Sequence, residues 1–342
     1  MQFTKQQLET SFRKGFSLSR MMLFFQILII GVFAFIYFST DIEKVRNALL
    51  ISAAIGLALW FFIIAWQILS LYSASVRIEQ ADSKMTGNYS VDEIRELVSL
   101  VIKEFKNKEI PNIYILDSKI VNAYAVDTWL VNFIRPFNAV YISKRAFECM
   151  SEGELKATLL HELGHFYRYD YAGNRLRIPR FLFMSLPFAF IVLIPHGWKF
   201  LFAAALAYIV LKIISFPAKR DDRIMEYLSD LFAAERVGKL NMINTLIILG
   251  NEYKKLEENE KVINKVAAKV NPGKKRVLIR WSDFDTVIVN SKIEPEEYDK
   301  FIAAILNENE AKVIDSTIDE DSVSHPSLTR RILFLHNNCD KL

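Results

Sequence analysis

The sequence predicts a mainly α-helical membrane protein with about four transmembrane helices, carrying an α+β domain with a small β-sheet. Three observations point there. The 342-residue chain is 52% hydrophobic with 26 Phe, too apolar for an ordinary soluble domain of this size, so part of it should lie in lipid. Its apolar residues gather in four long runs arranged as two pairs. The polar stretches between and after the pairs hold short strand-like runs and helices with N-terminal capping signals.

Residues 1–20 hold Lys5, Arg13, Lys14 and Arg20 against Glu9 alone, a basic segment expected on the cytoplasmic side. The uncharged run 21–38 follows without a small-residue cleavage site, which reads as an uncleaved membrane helix. A second run, 48–71, completes a first hairpin over 21–72. The second hairpin, 178–217, pairs run 178–195 with run 200–216 through His196-Gly197-Trp198-Lys199. Each of its runs is slightly short of the ~20 residues a span needs, and Pro187 interrupts the first. Arg168, Arg175 and Arg177 precede it, Arg180 stands at its start, and Lys219, Arg220 and Arg223 follow it, so both flanks are expected on the cytoplasmic face.

The polar halves, 76–177 and 218–342, are expected to form one domain. Ser90-x-x-Glu93 caps a helix whose Ile94, Leu97, Val98, Val101, Ile102 and Phe105 form one apolar stripe, which is core. Asn112–Leu116 and 139–142 read as strands, with Asn122-Ala123-Tyr124-Ala125 as a loop or edge strand. Ser151-x-x-Glu154 caps a further helix that runs unbroken into His161-Glu162-Leu163-Gly164-His165. Residues four apart share a helix face, so both imidazoles can meet one ion with Glu162 beside it. H-E-x-x-H arises by accident in on the order of one chain in a hundred of this length, so its context must carry the argument. Gly164 costs about 1 kcal/mol relative to Ala inside a helix, which predicts close approach by backbone, metal or substrate.

The context is a second helix. Arg223-x-x-Glu226-Tyr227-x-x-Asp230 runs without Pro or Gly to Gly238 and puts Glu226 and Asp230 on one face. Alone, such a pair is an exposed helix surface. Beside two imidazoles that need a third protein ligand and a carboxylate to hold a ring, the pair could fill both roles. A strand next to the metal helix would let an extended peptide pair along its free edge. Near the end, His325-Pro326 and Arg331 offer a donor for a developing oxyanion.

Other classes fit less well. The Lys-rich stretch 265–275 has no interleaved aromatics, so no nucleic-acid partner is expected. Cys149 and Cys339 make no disulfide framework or thiolate site and are given no role; they suit a reducing compartment. A transporter is disfavoured because the apolar runs carry almost no ionisable residues, Lys212 excepted. A non-catalytic zinc scaffold is disfavoured because two His and one Glu leave a position open, whereas structural zinc is usually closed by four protein ligands.

Together these residues resemble the HtpX-like membrane zinc endopeptidases, gluzincins related to the CAAX prenyl endopeptidases. The resemblance rests on Asn122 to Ala125, His161 to His165, Asp170, Arg223-x-x-Glu226-x-x-x-Asp230, and His325-Pro326 with Arg331, in family order from about residue 76 onward. Ser229 stands where the family commonly has Ala, the segment before Met21 is longer than usual, and 265–321 carries no family motif. The resemblance implies one zinc ion per chain held by His161, His165 and Glu226, with Glu162 as general base and Asp230 orienting an imidazole, that of His161. It further implies that His325 steadies the tetrahedral intermediate and that Asn122 holds substrate backbone, with Ala123, Tyr124 and Arg331 as further substrate contacts. The expected function is cytoplasm-facing hydrolysis of peptide bonds in misfolded or damaged membrane proteins, at a bacterial inner membrane. Processing of prenylated C-termini is the alternative.

Overall fold

The computed structural model describes residues 4–10, helical positions scattered between 43 and 73, and residues 74–87, 89–103, 112–118, 120–127, 138–165, 223–252, 255, 292–312 and 326–340. The expected runs 21–38, 178–195 and 200–216 and much of 48–71 lie outside the described residues, as do Phe105, Asp170, the 265–275 stretch and His325. The chain divides into two compact units. One comprises Met1–Leu8, Ala74–Tyr169 and Arg223–Leu342, the other Glu9–Ser73 and Asp170–Asp222.

The first unit is built on a four-stranded sheet of order β1-β2-β4-β3, with β1 at Ser75–Arg77, β2 at Asn112–Leu116, β3 at Ala123–Asp127 and β4 at Asn138–Ser143. The inner strands β2 and β4 pair in parallel, Ile113 opposite Val140 and Ile115 opposite Ile142. All four of these residues are buried, and near-continuous apolar runs are what a strand covered on both faces requires. β1 and β3 close the two sides in antiparallel fashion. Tyr114, Tyr141 and Tyr124 form a stacked ladder across three strands, with ring centroids 5.1 and 5.2 Å apart. β3 is thus an edge strand, held by pairing on one side only among the described residues. Nothing in the sequence pattern marked β1, a strand of three residues.

Helices cover the sheet. α1 (Ser83–Thr86) is a single turn, and α2 (Val91–Lys103) starts at the expected reciprocal cap: Ser90 N–H donates to Glu93 Oε2 at 2.6 Å and Glu93 N–H to Ser90 Oγ at 3.2 Å. Its stripe from Ile94 to Ile102 is buried as its spacing requires. α3 (Lys144–Cys149) follows directly from β4, with Ser143 Oγ accepting from Ala146 N–H at 3.2 Å. α4 (Glu152–Gly164) has the same type of cap, Ser151 N–H donating to Glu154 Oε2 at 2.7 Å. It packs against α2 and β3, with nine residues buried on several faces. A helix buried on several faces belongs at the centre of a fold, and the H-E-x-x-H residues lie at its C-terminal end.

The C-terminal part contributes α5 (223–237), α6 (239–252), α7 (Tyr298–Lys312) and α8 (Leu328–Asn338). Gly238, at φ 92°, separates α5 from α6 in a conformation that only glycine adopts without strain. In the second unit, the described positions between 43 and 73 are helical. Leu50, Ile51, Ile55, Phe61, Phe62, Trp66, Leu69 and Tyr72 are exposed there, the aromatic ones at 60–66%. Among the described residues, no helix is long and apolar enough to cross a membrane.

Candidate metal centre

Two helices bring the chemistry together. α4 presents His161 and His165, four residues apart, with ring centroids 4.6 Å apart in an edge-on arrangement. α5 presents Glu226 and Asp230 with the same spacing. The two Nε2 atoms lie 3.0 Å apart, Glu226 Oε1 is 3.3 Å from His165 Nε2, and Glu226 Oε2 is 3.5 Å from His161 Nε2. Ligand atoms about 2.0–2.1 Å from a tetrahedral zinc must stand ~3.3–3.4 Å from one another. The pairwise approaches among His161, His165 and Glu226 are of that order, the two of Glu226 made by different carboxylate oxygens. With one ligand atom from each residue, all three lie within 4.8 Å of one another, and they are the group among the described residues that could hold an ion.

Charge fits as well as distance. Glu162, Glu226 and Asp230 bring three carboxyl groups to the site beside the guanidinium of Arg331 and, among the described residues, leave negative charge that suits a dication once the imidazoles are neutral. Burial pushes the Glu162 carboxyl above its ordinary range, opposed by the two histidines, which moves it toward what a general base at neutral pH needs. Burial acts the same way on Asp230, but the Arg331 guanidinium and His161 outweigh it and hold that carboxyl low. At His161 burial opposes protonation, yet Asp230 and Glu226 win and push the imidazole up to about 10. Binding an ion at Nε2 requires that proton to leave.

The atoms behind the ligands are ordered by one cation. His161 Nδ1 sits 2.8 Å from Asp230 Oδ1, close in distance though off the line of an ideal hydrogen bond. Asp230 is fully buried and accepts a two-pronged pair from Arg331, Nε to Oδ2 and Nη2 to Oδ1, both at 2.6 Å. The third guanidinium nitrogen, Nη1, lies 3.0 Å from Glu226 Oε2. Arg331 on α8 is therefore the clasp that holds both carboxylates of α5 where the imidazoles need them. Arg331, expected as a substrate contact, is 7% exposed, with its guanidinium on Asp230 and Glu226. Sequence alone carried no sign of this bond, which joins residues 101 positions apart.

The close approach predicted at Gly164 is that of α5 itself. A Cβ there would stand 3.3 Å from Phe232 Cδ1, tighter than most contacts tolerate, and 3.6 Å from Ser229 Oγ, an ordinary contact. Neither metal nor substrate is needed to explain it, because the bare backbone lets α4 and α5 cross closely enough for Glu226 to reach the imidazoles. Ser229 faces the same crossing fully buried, and its Oγ finds no hydrogen-bond partner among the described residues. An unsatisfied buried hydroxyl costs about 1–3 kcal/mol. Ser229→Ala should therefore raise the melting temperature by a few degrees, measured by thermal unfolding of the purified protein; a decrease would show that the hydroxyl has a partner.

Of the remaining expected residues, Asn122 is exposed at the head of β3, with its main chain tied to Ser143: its N–H donates to Ser143 Oγ at 2.9 Å and its carbonyl accepts from Ser143 N–H at 2.8 Å. Ala123 is buried and Tyr124 half-buried on β3, the strand that packs against α4.

A capped helix bearing two imidazoles, a crossing helix that supplies the third donor and an edge strand alongside together define a metallopeptidase domain. Residues 89–338 match the family model described as Peptidase family M48, and the chain belongs to that family of metallopeptidases. Comparison with curated proteins and with solved structures finds no match.

Proposed function

We propose that this chain is a membrane-integrated zinc endopeptidase that opens its site to the cytoplasm and cleaves misfolded or damaged membrane proteins. The observation that carries the catalytic part is the convergence of His161, His165 and Glu226, ligand atoms within 4.8 Å of one another, with the carboxyl of Glu162 on the helix of the two imidazoles. His161, His165 and Glu226 would hold a zinc ion, which would supply an activated water and Lewis-acid polarisation of the scissile carbonyl. Glu162 takes the proton from the attacking water and hands it to the amine as the C–N bond breaks. Asp230 keeps the His161 ring turned so that Nε2 faces the ion, and Arg331 keeps Asp230 and Glu226 in place. The edge of β3 that is unpaired among the described residues supports main-chain pairing with an extended peptide, in which Asn122, Ala123 and Tyr124 would meet substrate backbone. His325, next to Pro326 in the chain, is assigned to the developing oxyanion.

The membrane part of the proposal is supported by the apolar runs and by exposed Phe61, Phe62, Trp66 and Leu69 on helical positions of the second unit. Washing membranes with alkaline carbonate should leave the protein in the pellet; release into the supernatant would remove integration from the proposal. His325→Ala should lower turnover about 10²–10³-fold with zinc content unchanged, as removal of an oxyanion donor does. Loss of zinc in that variant would make His325 a ligand instead. Substrates are best read by mass-spectrometric mapping of chains held in a complex with Glu162→Gln, where membrane proteins should predominate. A captured set of soluble proteins would overturn the substrate assignment.

A further inference from the structure

The first residues of the chain fold back onto the helices that carry the acidic side of the metal centre. Thr4 opens a short helix with a reciprocal cap: Gln7 N–H donates to Thr4 Oγ1 at 3.3 Å and Thr4 N–H to Gln7 Oε1 at 2.9 Å. The first turn of any helix leaves N–H groups without partners inside the helix. Here the N–H of Lys5 is taken by Asn338 Oδ1 on α8 at 3.0 Å, while the Asn338 amide nitrogen donates to Phe334 O at 3.0 Å. From the same residue, Lys5 Nζ reaches Glu235 Oε1 on α5 at 2.5 Å. One turn on, Leu8 is buried at 3% exposure, within the same compact unit as α5 and α8.

Lys5 therefore bridges the two helices, and these are the helices whose mutual position sets the clasp. α5 carries Glu226 and Asp230, α8 carries Arg331, and they touch again where the Tyr227 and Phe334 rings lie 5.0 Å apart. Glu235 and Asn338 stand beyond Asp230 and Arg331 along their helices. We propose that residues 4–8 are a positioning strap that holds α8 on α5, so that Arg331 keeps Glu226 and Asp230 in the geometry the ion requires. The Lys5–Glu235 pair, 44% and 39% exposed, adds little alone, because exposed pairs are screened by water and salt. Buried Leu8 and the Lys5 N–H on Asn338 do the holding. A ligand set tolerates only about 0.5 Å of displacement, so a slackened strap appears first as poorer metal retention.

The inference rests on the metal-centre reading, and its test separates the two. Full-length wild-type protein in detergent is compared with Leu8→Ser, with Lys5→Pro, and with Ile78→Ala, a core change in the turn that follows β1. Proline is tolerated at the first helical position, so Lys5→Pro removes the N–H donated to Asn338 while sparing the helix. Two quantities are read well below the melting temperature: the rate of zinc release to a chelator, and hydrogen exchange of the α8 amides in metal-free protein. Leu8→Ser should speed both at least tenfold and Lys5→Pro at least twofold, whereas Ile78→Ala should lower the melting temperature and leave both rates near wild type. Wild-type rates in Leu8→Ser with only a lower melting temperature would overturn the strap, as would wild-type rates in Lys5→Pro should Leu8→Ser fail to fold. Wild-type protein that retains no zinc would instead sink the metal reading, while α8 exchange would still report on the strap.

Discussion

Glu162→Gln is expected to reduce peptide-bond cleavage about 10²–10⁴-fold while zinc stays bound at one ion per chain. The amide has nearly the volume of the carboxyl but takes no proton from water, so only the proton transfers are lost. The three atoms that form the metal triangle belong to His161, His165 and Glu226, so metal content should not change. Turnover of an unfolded membrane protein, followed on a gel alongside elemental analysis of the same sample, checks both halves. Cleavage within tenfold of wild type would take the base role from Glu162. Joint loss of zinc and activity would mean that Glu162 shapes the site rather than moving protons.

Arg331→Ala should be the most destabilising single change in the site. It takes the guanidinium from Asp230 and Glu226, 0% and 6% exposed, and breaking a buried ion pair from one side costs about 3–5 kcal/mol. For a domain of this size that corresponds to a melting temperature lower by about 6–20 °C. The loss should be larger in metal-free protein than in zinc-saturated protein, because a bound dication takes over part of the compensation. Arg331→Lys should recover only a fraction, since one ammonium cannot match the two-pronged contact with Asp230 and still reach Glu226. Combining Arg331→Met with Asp230→Asn should restore part of the stability by removing the stranded charge. A melting temperature within 2 °C of wild type in metal-free Arg331→Ala would show that the clasp is not what holds the carboxylates.

The local parts of the fold were legible because their determinants are local. Both reciprocal caps, Ser90 with Glu93 and Ser151 with Glu154, are three-residue signals that form where the sequence places them. The buried stripe of α2 follows from spacing at 3.6 residues per turn. A third cap of the same type, Thr4 with Gln7, is an equally local signal within the basic N-terminal segment. β1 has three residues and becomes a strand only because β2 offers it partners, Arg77 opposite Tyr114 among them. Tyr124 could be read as loop or strand until register placed it opposite Tyr141.

The metal site divides in the same way. Two imidazoles four residues apart on a capped helix, and two carboxylates four apart on another, share faces by helix geometry alone, so the sequence by itself determined which atoms could meet an ion. That the two faces meet, that Gly164 is where the helices cross, and that Arg331 reaches both carboxylates were decided by tertiary structure alone. The reason is physical: spacing along a helix is set by hydrogen bonds four residues long. The partner of a buried charge is chosen instead by whichever opposite charge the packed core brings to it, here from 101 residues away.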